Sequence, residues 1–92
     1  MKVIVNACFG GFSLSDFAVN ALDLESAYDS ISRTDPRLIE LFERYGSERL
    51  SGTCADLAIV VIPDAATDWM ITDYDGSEDV IYVLDGKLHY AQ

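Results

Sequence analysis

Residues 56–91, DLAIVVIPDAATDWMITDYDGSEDVIYVLDGKLHYA, carry four strand signals in succession. The runs DLAIVVIP (56–63), DWMITDY (68–74), DVIYVL (79–84) and KLHYA (87–91) are rich in β-branched and aromatic residues, and Pro63, Gly76 and the pair Asp85-Gly86 punctuate them. Asp-Gly between VIYVL and KLHYA is the sharpest local signal, because a two-residue type I′ turn needs positive φ at both central positions. Those two runs are expected to form a hairpin.

Upstream the pattern is helical. Ser15 and Asp16 read as an N-cap and first-turn acid, with Leu14 and Val19 placed as a hydrophobic staple. Phe17, Ala21, Leu24 and Tyr28 continue that helix at spacings of three and four, although Asp23, Ser26 and Asp29 blur its end. A second helix is better marked: Asp35 as N-cap, Pro36 at the first helical position, Leu38, Ile39, Leu41, Phe42 and Tyr45 on one face, and Gly46 past the end. KVIVN (2–6) is a short β-branched run, and Gly10-Gly11 lets the chain turn after it. The order β-α-α-β-β-β-β predicts an α+β domain, its two helices packed on one face of a mainly antiparallel sheet of four to five strands.

Ninety-two residues, half of them hydrophobic, give one domain spanning 1–92 with a modest core. Sixteen acids against six bases leave a formal charge of −10, which must lie almost wholly outside. Direct binding of nucleic acid is not expected on that balance, since it needs Lys and Arg to displace counterions. Partners should be basic. Met1 and Lys2 lead into VIVN without the apolar run of a signal peptide, and LAIVVIP is too short to span a bilayer, so no membrane association and a cytoplasmic location are expected.

Enzymatic readings lack partners. His89 is the single histidine, on a predicted strand far in sequence from Cys8 and Ser13, and reads as a half-exposed strand residue beside Tyr90. Cys8 and Cys54 read as a reduced pair of small buried side chains rather than a disulfide or zinc site. Gly10-Gly11 lacks the third glycine of a dinucleotide fingerprint and the Gly-Lys-Ser/Thr ending of a P-loop. In DYDGSED (73–79), Asp73, Asp75, Ser77 and Asp79 alternate like calcium ligands, but the glycine falls at the fourth position and Leu84 stands where an EF-hand has Glu. No enzyme activity, metal or cofactor is therefore expected, and Asp75-Gly76 reads as a hairpin tip.

Charge distribution is the more informative feature. Asp64, Asp68, Asp73, Asp75, Glu78 and Asp79 follow one another without a cation, on predicted strands and their turns. Residues two apart on a strand project from one face about 6.6–6.8 Å apart, so Asp73 and Asp75 are expected to begin a row that offers a cationic groove a DNA-like potential. These six acids are the candidate partner-binding residues, with Trp69, Tyr74 and Tyr82 as apolar anchors.

The strings CFGGFSLSDFA (8–18), RTDPRLIELFERYG (33–46), IVVIPD (59–64) and WMITDYDGSE (69–78) resemble a family of small acidic proteins encoded by phages and prophages, which includes anti-CRISPR inhibitors of type I-C systems. The resemblance covers most of the chain but not VLDGKLHYAQ (83–92). It implies a small α+β fold and, in the bacterial host, stoichiometric binding to the surveillance complex at the large subunit that contacts target DNA; a monomer is expected. The alternative is a phage accessory protein that binds another host factor through the helical face around Arg33, Arg37 and Arg44.

Overall fold

The computed structural model describes residues 1–26 and 31–91. Its elements are β1 (Lys2–Asn6), α1 (Asp16–Ala21), α2 (Pro36–Tyr45), α3 (Ser47–Leu50), β2 (Leu57–Val61), β3 (Asp68–Tyr74), β4 (Ser77–Leu84) and β5 (Lys87–Tyr90). The α+β class and the four C-terminal strands are as the sequence predicts. Two features differ: α3 adds a single helical turn, and the strands form two antiparallel sheets, β1-β2 and β3-β4-β5, instead of one.

The division has a physical cause in the β1-β2 ribbon, which is apolar on both faces. Register pairs Val3 with Val60 and Ile4 with Ile59, so alternate residues of each strand face opposite ways. Ile4, Leu57 and Ile59 pack with Leu14, Ala18, Leu22, Leu38 and Leu50 from the helical side. Val3, Val5 and Val60 pack instead with Ile62, Val80, Trp69, Ile71 and Tyr82. The ribbon is thus a middle layer, covered by helices on one side and by β3-β4-β5 on the other, as a strand apolar on both faces requires.

Local signals explain the helix ends. Ser15 Oγ accepts from the Ala18 backbone N–H to cap α1, and Leu14 is buried beside partly buried Val19. The helix stops at Ala21, short of the predicted run. Asp23 takes φ 56° and the N–H groups of Leu24 and Asp23 return to the carbonyls of Val19 and Asn20, a Schellman ending that glycine ordinarily serves. Tyr28 and Asp29, read with this helix from the sequence, lie outside the described residues. Around α2, Asp35 Oδ1 accepts from the Arg37 N–H, Pro36 occupies the first turn, and Gly46 closes the helix at φ 86°.

Both hairpins use the expected turn chemistry. Asp75 and Gly76 have φ of 51° and 88°, and Asp85 and Gly86 have 53° and 74°, so each pair sits in a two-residue turn with positive φ at both positions.

Candidate protein-binding site

The β3-β4 register, Asp68 opposite Val83 through Tyr74 opposite Ser77, fixes where each acid lies. Trp69, Ile71 and Asp73 share the inner face with Tyr82, Val80 and Glu78, whereas Asp68, Met70, Thr72 and Tyr74 share the outer face with Val83, Ile81, Asp79 and Ser77. Asp73 and Asp75 do not form a row. Asp75 has left the strand for the turn, and Asp73 Oδ1 accepts from the Gly76 N–H at 2.8 Å.

Glu78 is also corrected, because its carboxylate is a structural group and not a surface one. Its side chain is only 6% exposed and receives both Arg33 Nη atoms, Nη1 on Oε1 at 2.6 Å and Nη2 on Oε2 at 2.9 Å. Oε1 accepts from the Asn6 backbone N–H as well, at 2.8 Å. The same arginine stacks on Phe12, its Cζ 3.6 Å from the ring centroid. A carboxylate buried in this manner needs a paired charge and full hydrogen bonding, and here it has both.

The other five of the six candidate acids are exposed, in two groups. Asp73, Asp75 and Asp79 surround the β3-β4 tip, while Asp68 starts β3, six residues or about 20 Å along the strand from Tyr74, and Asp64 lies in the β2-β3 connection before it. Asp64 is 2.9 Å from the Met1 amino group. Among the described residues no base lies within salt-bridge distance of Asp68, Asp73, Asp75 or Asp79.

The tip is held from below. Gly10 N–H donates to the Asp75 carbonyl (3.1 Å), Asn6 Nδ2 donates to the carbonyls of Gly76 (2.6 Å) and Cys8 (2.7 Å), and Gly76 sits so close to Gly10 and Gly11 that a Cβ there would overlap the Gly11 nitrogen. That contact, and the positive φ of Gly10 and Gly11, account for the glycine pair as a turn and a seat for the hairpin. Beside the carboxylates stand two exposed rings, Phe9 and Tyr74, in edge contact with centroids 6.4 Å apart. Of the expected aromatic anchors only Tyr74 is presented; Trp69 and Tyr82 face the ribbon, half-buried.

Other expectations resolve in the same geometry. The free cysteines are not a buried pair: Cys54 is exposed, and the half-buried Cys8 thiol lies within hydrogen-bond distance of two acceptors, Asn6 Oδ1 (3.4 Å) and the Cys54 carbonyl (3.3 Å). His89 is exposed on β5, its ring stacked on Tyr82 at 5.2 Å. Among the described residues no group of three or more His, Cys, Asp or Glu is arranged to hold a metal, and no helix is long and apolar enough to cross a membrane. On the helical face, Arg33 is spent on Glu78, Arg37 is paired with Asp35 at 3.1 Å, and Arg44 lies over Tyr45. The Arg37 side-chain hydrogen bond, helped by its backbone N–H, holds the Asp35 carboxyl below its usual range.

Compared with protein-family models, curated proteins and solved structures, the chain matches none.

Proposed function

We propose that this chain is a non-enzymatic binding protein, an acidic DNA mimic that occupies a cationic, nucleic-acid-binding surface of a protein partner and excludes the nucleic acid from it. The observation that supports this reading is the hairpin end: Asp73, Asp75 and Asp79 are exposed and, among the described residues, have no base within salt-bridge distance, on a tip fixed by Asn6, Gly10 and Gly76. Charges held on a rigid scaffold lose little freedom on binding, and a field of one sign steers a cationic partner toward them. Phe9 and Tyr74 add apolar surface beside the charge, the combination that anchors an interface.

The resemblance described above directs the proposal to the type I-C CRISPR surveillance complex, at its large subunit, in the cytoplasm of a bacterial host. Basic residues that contact the target duplex would meet Asp73, Asp75 and Asp79, and no covalent step is involved. The test is fluorescence anisotropy of a labelled target duplex held by the purified complex. Stoichiometric addition of this protein should release the duplex; a duplex that stays bound at a large excess refutes the reading.

A further inference from the structure

The outer face of β3-β4-β5 is apolar, and among the described residues nothing covers it. Its side chains stand in cross-strand rungs: Asp68, Val83 and Leu88, then Met70, Ile81 and Tyr90, then Thr72 and Asp79. Met70 is 56% exposed, Leu88 72% and Tyr90 69%, and a shallow depression opens between Asp68, Met70, Ile81, Val83 and Leu88. Five apolar side chains therefore form one patch with an aspartate at each end, and the patch runs toward Tyr74 at the tip. A sheet face of this kind is normally covered by a second layer.

We propose that this face docks an amphipathic, basic helix of a protein partner. Three observations select that occupant. Backbone hydrogen bonds lie in the plane of the sheet, so an occupant of the face, as opposed to the edges of β3 and β5, meets side chains, which suits the apolar stripe of a helix. Asp68 and Asp79 bracket the patch without a basic neighbour among the described residues, so the stripe must be flanked by Lys or Arg. Their rungs are four residues apart on β3, about 13 Å, which is roughly two and a half turns of helix. A second copy of this chain fits poorly, because two molecules of charge −10 would bring the same aspartates together. The proposal rests on the reading of a basic partner and adds the surface that grips it.

The test uses a synthetic 15-residue helical peptide of leucine and lysine, with leucines at i, i+3, i+4 and i+7, titrated into the isotope-labelled full chain and followed by NMR. Shifts should centre on Met70, Ile81, Val83, Leu88 and Tyr90. The double variant Met70→Ser, Leu88→Ser should keep its melting temperature and bind about tenfold or more weakly, and Asp68→Asn, Asp79→Asn should flatten the salt dependence. Shifts confined to Phe9, Asp73 and Asp75, with the serine variant binding like wild type, overturn the docking face and leave the reading of the tip intact. Equal binding of a peptide with glutamate in place of lysine overturns the choice of a basic occupant. So does a dimer in sedimentation that the serine variant dissolves.

Discussion

Arg33 and Glu78 form a two-point ion pair across 45 residues of sequence, and it closes the open edge of β1. On that edge the Ile4 N–H donates to the Arg33 carbonyl at 2.9 Å, and the Asn6 N–H donates to Glu78. The Arg33 backbone carbonyl and the Glu78 carboxylate thereby occupy an edge that would otherwise template foreign strands, and the ion pair fastens the residues just before α2 to the β3-β4 hairpin.

Removing one partner of such a pair strands the other. Glu78→Ala should lower stability by about 3 kcal/mol, a fall in melting temperature on the order of 10–20 °C for a chain of this size. Urea unfolding of Glu78→Ala, Arg33→Met and the double variant checks it; the double variant should lose much less than the sum of the singles.

Asp23 is an acid in the left-handed conformation at the C-terminus of α1. Glycine there relieves about 1 kcal/mol of steric cost. Asp23→Gly should therefore raise the midpoint of thermal unfolding by a few degrees, as differential scanning calorimetry would record.

The two hairpin glycines separate strain from contact. Gly86 has open space where a Cβ would go, so Gly86→Ala should cost only the conformational penalty, about 1 kcal/mol. Gly76 faces the Gly10-Gly11 backbone, so Gly76→Ala must also displace the tip and should cost about 2–3 kcal/mol. Denaturant melts of the two variants should keep that order.

Acid should expose the α2 cap. Because the Arg37 side chain and backbone hydrogen-bond the Asp35 carboxylate, its folded value is depressed, and its contribution is present above the ordinary carboxylate value and lost as pH falls through the lower, folded one. Between those two values, stability should fall more steeply with pH in the wild type than in Asp35→Asn, measured by circular dichroism.

Much of the fold was legible because the signals are local. Asp75-Gly76 and Asp85-Gly86 specify their turns, Ser15 caps α1, and Asp35-Pro36 with Gly46 bounds α2. The split into two sheets was not, since it depends on which face of β1-β2 meets which layer. The site was read less well for the same reason. Spacing put Asp73 and Asp75 on one strand face, but the turn begins between them, and nothing in the neighbourhood of Glu78 announces an arginine 45 positions away. The uncovered outer face did leave a trace: Val80, Ile81, Tyr82, Val83 and Leu84 are apolar at both parities, which marks a strand with two apolar faces.

In the proposed mode of binding, fixed carboxylates at the β3-β4 tip meet cations on a partner. The triple variant Asp73→Asn, Asp75→Asn, Asp79→Asn tests it with little disturbance, because Asn keeps the acceptor for the Gly76 N–H and tolerates the left-handed turn position. Affinity for the purified type I-C surveillance complex, measured by calorimetry at two salt concentrations, should fall on the order of 100-fold in the variant, with most of the salt dependence gone. An unchanged affinity in a variant that melts like wild type would refute recognition through the tip carboxylates.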